Sequence, residues 1–217
     1  MIEKLPSGAW VIAEDTHISK WVKEHGTLAC DPALFADMKP WLKDTSVVWD
    51  IGANIGDHTR FYLDEGKRVI AVEPNPEAFE CLKHNCPEAL CLNFAASASR
   101  GELAFARTDN VGASRIQEGG DLTVPARQMD SLDLPPPDFI KIDVEGWELA
   151  ALRGMQIALA RYRPTVFIEI NRGALANNGV FPEDVVEFMA SLRYQTPAIY
   201  PPSALPSGEQ YDLLFRP

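Results

Sequence analysis

The sequence predicts a doubly wound α/β fold, and three observations predict it. Two short apolar runs, Val47–Ile51 and Val69–Glu73, carry acids near their ends and are separated by a glycine turn and a helix-compatible stretch. A third run, Asp138–Asp143, leads into an amphipathic stretch, Glu145–Ala160, with Leu149, Leu152, Met155 and Leu159 on one face. Apolar runs bounded by glycine or proline, alternating with helical periodicity, mark parallel strands covered on both faces.

Taken in order, Met1–Ala13 reads as a short ribbon, with Ala9 to Ile12 strand-like. Asp15 or Thr16 caps a helix through Ile18, Trp21 and Val22 to His25, and Gly26 stops it. Asp31-Pro32 opens a second helix with Leu34, Phe35, Met38 and Leu42 on one face. Residues 1–45 thus form an N-terminal extension to a sheet core of 46–217, one domain in all. In the core, Pro74-Asn75-Pro76 ends the second strand and starts a helix, Glu77–Asn85. Cys91–Ala96 reads as the third strand and Glu102–Ala106 as part of an edge hairpin. Thr108–Asp121 is polar and contains Gly112, Gly119 and Gly120, so it reads as a lid or substrate loop. Thr123–Ala126 is a short strand, Pro135-Pro136-Pro137 a stiff connector, and Asp138–Asp143 the fourth strand. Glu145–Ala160 reads as one helix, Pro164–Ile170 as the fifth strand, Arg172–Val180 as a loop and Pro182–Leu192 as a helix. Tyr194–Tyr200 and Tyr211–Phe215 close the sheet as an antiparallel pair around Pro201–Gly208.

The turn Gly52-Ala53-Asn54-Ile55-Gly56 follows the first strand directly. A strand, a glycine turn and a helix present free backbone N–H groups to a ligand. Glu73 lies about 20 residues farther on at the next strand tip, where a carboxylate can accept from both hydroxyls of a ribose. A nucleoside-containing cofactor fits this pattern. The middle glycine of the dinucleotide fingerprint is missing. Asp50, just under the loop, would repel a pyrophosphate and suits a cationic group such as the amino group of S-adenosylmethionine.

Asp50–Gly56, Val72-Glu73-Pro74 and Ile140–Glu148 (IKIDVEGWE) together resemble the FkbM family of S-adenosylmethionine-dependent methyltransferases. The likeness runs from about Val47 to Ile170. It implies a mostly parallel seven-stranded sheet, the Rossmann-like class I methyltransferase fold, and O-methylation of a hydroxyl on a small molecule or sugar. His58 and Trp147 depart from the usual pattern near the presumed site, so acceptor identity is not carried over. With the strand-tip geometry, the resemblance assigns cofactor binding to Asp50, Gly52, Ala53, Asn54, Gly56, Glu73, Pro74, Ala95 and Asp143. A nicotinamide-dependent oxidoreductase and an inactive cofactor-binding partner subunit are the competing readings.

Ligands of doubly wound folds bind at the carboxyl ends of the strands. That criterion gathers Asp50, Glu73, Asp143 and Glu169, with Asn54, Glu145, Gly146 and Asn171 in the loops beyond them. Glu145 and Glu148 have the plainer explanation of acids in a first helical turn. Lys141 lies inside a strand and points to the same side as Asp143, where it either pairs with a rim acid or orients the substrate oxygen. Asp143 is the first candidate for base or orienting group, with Glu169, His58 and Lys141 behind it. Asp143, Glu169 and Asn171 form an oxygen-rich set of the kind Mg²⁺ prefers, yet metal-free proton transfer ranks ahead and no metal is assigned.

With 20 Lys+Arg, 31 Asp+Glu and a net charge of −11, the chain has no basic cluster for nucleic acid and is disfavoured at an anionic membrane surface. No apolar run is long enough to span a bilayer, and Met1–Trp10 lacks a signal core, so a cytoplasmic location is expected. Cys30, Cys81, Cys86 and Cys91 lack metal-site spacing and read as reduced, mostly buried thiols.

Overall fold

The computed structural model describes residues 1–29, 31–200 and 209–217. The chain opens with an antiparallel hairpin of β1 (Ile2–Lys4) and β2 (Trp10–Ile12). Helix α1 (Ile18–His25) ends at Gly26, in a left-handed conformation. Helix α2 (Pro32–Met38) begins with its proline, and Asp31 accepts from the Leu34 N–H at 2.9 Å. After a 3-10 turn, Lys39–Leu42, come β3 (Val47–Ile51), α3 (Asp57–Asp64), β4 (Arg68–Val72), α4 (Pro76–Asn85) and β5 (Leu90–Leu92). Next are β6 (Ala95–Ala96), β7 (Gly101–Ala106), β8 (Arg115–Ile116) and β9 (Leu122–Arg127). The chain then forms β10 (Phe139–Ile142), α5 (Glu148–Arg153), α6 (Gln156–Tyr162), β11 (Thr165–Asn171), α7 (Arg172–Asn177), α8 (Pro182–Ser191), β12 (Ala198–Tyr200) and β13 (Gln210–Phe215).

The main sheet has seven strands in the order β12-β13-β11-β10-β3-β4-β5. The five strands from β11 to β5 are parallel to one another, and β13 and β12 close the sheet antiparallel. Period-two alternation divides its side chains between two cores. Trp49, Ile51, Ile70, Val72, Ile140, Ile142, Ile168 and Ile170 face Leu149, Leu152, Leu159, Val185 and Met189 of α5, α6 and α8. Val48, Val69, Ala71, Phe139 and Phe167 face Phe35, Met38, Phe61, Tyr62 and Leu82 of α2, α3 and α4. The expected doubly wound, mostly parallel sheet is therefore present, with α2 over one face and α1 packed against the hairpin and α4.

Four expected elements differ. The single strand Cys91–Ala96 is two strands: β5 edges the main sheet, while β6 leaves it to pair parallel with β9. Between them Asn93 donates to the Glu73 carbonyl at 2.8 Å and breaks the run. Glu102–Ala106 forms an edge hairpin with β8, but in a second sheet ordered β6-β9-β7-β8, where β7 also pairs with β9. The helix Glu145–Ala160 starts three residues later and is broken into α5 and α6. A Cβ on Gly154 would lie 2.1 Å from the Ser97 carbonyl oxygen, so the chain passes too close for a continuous helix with any larger residue there. Asp130 restarts it, accepting from the N–H groups of Ile157 and Ala158 at 2.7 and 2.9 Å. The loop Arg172–Val180 contains α7, capped by Asn171, whose Oδ1 accepts from the Ala174 N–H at 3.0 Å.

Pro201–Gly208 and Cys30 lie outside the described residues. Cys81 and Cys86 are buried free thiols. Among the described residues no helix is long and apolar enough to cross a membrane.

Candidate active site

A cleft of about 600 Å³, partly open to solvent, lies at the carboxyl ends of β3, β4 and β10. One wall is Gly52, Asn54, Glu73 and Pro74, and the other is Asp143, Val144 and Glu145. The second sheet roofs it with Phe105, Ile116 and the segment Val111–Ser114. Phe94, Ala95, Ala96 and Trp147 complete an apolar slot.

The turn after β3 is built to lie against the chain beyond β10. Gly52 has a φ of 86°, and a Cβ there would sit 1.7 Å from the Asp143 carbonyl oxygen. Only glycine allows that approach. The turn's N–H groups at Gly52 and Ala53 both donate to the Val72 carbonyl, which fixes its height above β4. Glu73 is 7% exposed, and its two oxygens accept from the Asn54 and Asn75 N–H groups at 2.9 and 2.7 Å. Burial pushes its carboxyl up to about 7 against the pull of those two N–H groups. Each oxygen keeps a further lone pair toward the cleft. Asn54 Oδ1 is buried with no protein partner. A buried acceptor without a donor fits a site that a hydroxyl-bearing ligand completes.

Behind the far wall, where only Asp143 and Glu145 line the cleft, stands a crowd of acids. Beyond Val48, Phe139, Phe167 and Leu214, the same sheet face carries Asp50, Lys141, Asp143, Glu169 and Asp212. Lys141 lies in register with Asp50, and Glu169 with Asp212. Lys141 Nζ donates to Asp143 Oδ2 at 3.0 Å, and the lysine is 5% exposed. Burial alone would lower its pKa, but Asp143, Asp50 and Asp57 outweigh it and hold the ammonium charged. One carboxylate oxygen each from Asp143, Glu145 and Glu169 lies within 4.8 Å of the others. Glu145 has a φ of 50°, uncommon for a side chain of its size, which turns it out of the chain beyond β10. Asn171 Nδ2 donates to its Oε2 at 3.1 Å. Burial first, then Asp143, pushes Glu145 up to about 7. Asp143 and burial hold Glu169 well above the ordinary carboxylate range, and Gln210 donates to it at 2.6 Å.

A family model, the methyltransferase FkbM domain, matches residues 50–196. The chain belongs to this family. Methyltransferases of the FkbM family use S-adenosylmethionine, and membership sets aside the nicotinamide alternative. The chain is 31% identical over 164 residues to hexuronic acid methyltransferase AglP of Haloferax volcanii, covering 71% of this chain and 65% of that protein. Among solved structures, the methyltransferase FkbM of Methylobacillus flagellatus KT superposes with a TM-score of 0.57 at 21% identity, over 79% of this chain and 44% of that one. A TehB-like S-adenosylmethionine-dependent methyltransferase from Corynebacterium glutamicum ATCC 13032 gives 0.53 at 15% identity, over 92% and 97%. The two structures speak to the fold. This chain spans less than two thirds of AglP and of the FkbM structure.

Within this FkbM domain, six of the expected cofactor residues line the cleft: Gly52, Asn54, Glu73, Pro74, Ala95 and Asp143. Three lie beneath it. Asp50 is fully buried, accepts from Thr59 Oγ1 at 2.6 Å and leaves Oδ1 without a protein donor, so it lies under the turn and outside the cleft lining. Ala53 packs into the α3 face, and Gly56 caps α3 against Leu82 and Cys86. His58 stands edge-on to Phe35 of α2, outside the cleft. Burial and the Lys141 charge hold it neutral, well below the ordinary histidine value, which makes it a weak proton acceptor. Asn171, expected among the oxygen ligands, spends its Oδ1 on α7 and its amide on Glu145; Glu145 takes its place in the acidic set. The sequence places Glu145 on the rim with helix capping as its plainer explanation, and it does not single out Asp212. Its signal was the alternation of Tyr211–Phe215, which places Asp212 beside the polar row once β13 pairs with β11.

Proposed function

We propose that this chain is an S-adenosylmethionine-dependent O-methyltransferase whose acceptor is a sugar-type small molecule. The observation that carries the reading is the cleft with Glu73 and Asn54 on one wall and Asp143 and Glu145 on the other. One wall offers carboxylate and amide oxygens to a nucleoside, the N–H groups of Gly52, Ala53 and Asn54 being spent on Val72 and Glu73; the other offers proton acceptors to an incoming oxygen. The hexuronic acid named for AglP supports the sugar class.

Glu73 and Asn54 would hold the ribose, and Phe94, Ala95, Phe105, Ile116 and Trp147 the base. When bound, the cofactor supplies an electrophilic methyl carbon on a sulfonium. Asp143, fixed by the Lys141 ammonium, orients the acceptor oxygen. Glu145 takes its proton, because a carboxyl near 7 is matched to proton transfer at neutral pH. Lys141 also supplies the positive charge that a metal ion would otherwise bring to these acids, so the chemistry runs without a metal.

The test is a mass-spectrometric screen of methyl transfer to hexuronic acids, neutral sugars and nucleosides, followed by a pH series on the best acceptor. Turnover of sugars, with kcat/KM rising through about pH 7 and that limb lost in Glu145→Gln, is the expected result. Methylation of nitrogen or carbon alone overturns the O-transfer reading, and an unchanged pH limb in Glu145→Gln removes Glu145 as the base.

A further inference from the structure

Roof and N-terminal extension meet at one buried carboxylate. Asp15 is 4% exposed, and Asp15 Oδ2 accepts from the Ser19 N–H at 2.6 Å. Its Oδ1 accepts from the His17 N–H at 3.2 Å and from the Val111 N–H at 3.0 Å. Ser19 is itself fully buried, its Oγ accepting from the Ile12 N–H at 3.1 Å, so the acid is fixed at the junction of β2 and α1. The neighbouring residue repeats the attachment: Thr16 donates to the Asp109 carbonyl from its N–H at 2.8 Å and from its Oγ1 at 2.9 Å. Around these bonds a gap of about 730 Å³, open to solvent, separates the extension from the roof segment.

The bonded segment is part of the cofactor cleft. Val111 and Gly112 line it, and a Cβ on Gly112 would lie 3.8 Å from Asn54 Nδ2, so the roof sits directly above that turn. The Val111 side chain packs with Val11, Val22 and Ile55, which ties the same residue to the extension by apolar contact. Hydrogen bonds from an N–H to a carboxylate are stronger than neutral ones. A buried acid whose oxygens are all spent on backbone N–H groups has one rigid position to offer.

We infer that Asp15 is a positioning residue for the cofactor: it holds Val111, and with it the roof of the cleft, at the height at which the nucleoside is enclosed. This rests on the reading of the cleft as an S-adenosylmethionine site. It makes the N-terminal extension a working part of that site, although the extension lies outside the matched residues 50–196.

Val111→Pro is the cleanest test. Val111 opens a 3-10 turn after an extended Asn110 (φ −95°, ψ 98°), a position proline accepts, and the change removes the N–H that Asp15 receives while keeping an apolar side chain of similar size against the extension. Asp15's cap on α1 stays intact. Calorimetry with S-adenosylhomocysteine should show a Kd raised about tenfold in Val111→Pro and in Asp15→Ala, and the double variant should add less than about twofold to either. In Asp15→Ala the KM for S-adenosylmethionine should rise with the Kd while kcat at saturation changes less than about twofold. Amide exchange at 110–116 should lose protection in each variant. Thr16→Val, which removes one hydroxyl, provides the same readout in smaller measure should either variant fold poorly. Wild-type binding of S-adenosylhomocysteine with unchanged Kd and exchange in the variants overturns the role of Asp15 alone. Absence of binding by the wild-type chain overturns the cleft assignment and this inference together.

Discussion

Single residues decide the cleft through contacts that no side chain of another size reproduces. Glu73 sits where a ribose diol would meet two carboxylate oxygens already steadied by backbone N–H groups. Glu73→Gln keeps the shape but loses charge and one acceptor. We expect it to weaken S-adenosylhomocysteine binding by about 1.5–3 kcal/mol, tenfold or more in Kd, by calorimetry. An unchanged Kd removes the ribose assignment. Gly52→Ala is the steric counterpart. Its Cβ would meet the Asp143 carbonyl oxygen at 1.7 Å and force a φ near 86° on a larger residue. Loss of measurable cofactor binding is expected, with the far-ultraviolet spectrum retained.

Elements are shaped by what crosses them. Helix α6 exists as a separate helix because Asp130, from another part of the chain, occupies its first N–H groups. Asp130→Ala should cost about 1–2 kcal/mol in urea denaturation, the ordinary range for a lost cap. The same substitution should leave S-adenosylhomocysteine affinity unchanged, since α6 lines no part of the cleft. The segment Thr108–Asp121 contains the turn Val111–Ala113 and β8, paired with β7, and it contributes Val111, Gly112, Ser114 and Ile116 to the cleft. That placement supports its reading as a cofactor-covering segment. Amide exchange there should slow when S-adenosylhomocysteine binds; identical exchange with and without ligand makes it a passive connector.

At the scale of the whole molecule, buried acids set the pH response. Glu73, Glu145, Glu148 and Asp212 are each pushed up to about 7, with burial the first cause in all four. Unfolded carboxyls titrate at about 4. Between those values the folded state holds protons that the unfolded state has released, so stability falls as pH rises through about 4 to 7. Lys141 has the same sign in a different window: its raised value adds stability that persists through neutral pH and is lost only in strong alkali. The ligand-free protein should therefore melt at least about 4 °C higher at pH 5.5 than at pH 8 in calorimetry, and equal or lower melting at pH 5.5 contradicts the burial of these groups. The same row of charges bears on metal use. With Lys141 Nζ 3.0 Å from Asp143, full activity is expected after exhaustive chelation. Activity lost in chelator and restored by Mg²⁺ would instead assign the ion to Asp143, Glu145 and Glu169.

By itself the sequence determined whatever depends on neighbours along the chain. Apolar runs bounded by glycine or proline gave β3, β4, β10 and β11; one-faced apolar spacing and proline starts gave α1, α2, α4 and α8; the glycine turn and the acid at the tip of β4 placed one wall of the cleft. These are short-range consequences of backbone sterics and burial, so they can be read from a stretch of ten to twenty residues. Tertiary structure decided what depends on residues distant in sequence. Asp212 enters the acidic wall only because β13 pairs with β11. Asp50 lies under the turn, bonded to Thr59 and in register with Lys141, because α3 folds back over β3. The helix after β10 breaks where Asp130 reaches across it, its N–H donating to the Gly154 carbonyl and its carboxylate accepting from the first N–H groups of α6. Glu145 replaces Asn171 at the rim because α7 claims the Asn171 oxygen for its first turn. In each case a polar group takes the partner that packing brings within hydrogen-bond distance, and sequence spacing does not encode that distance.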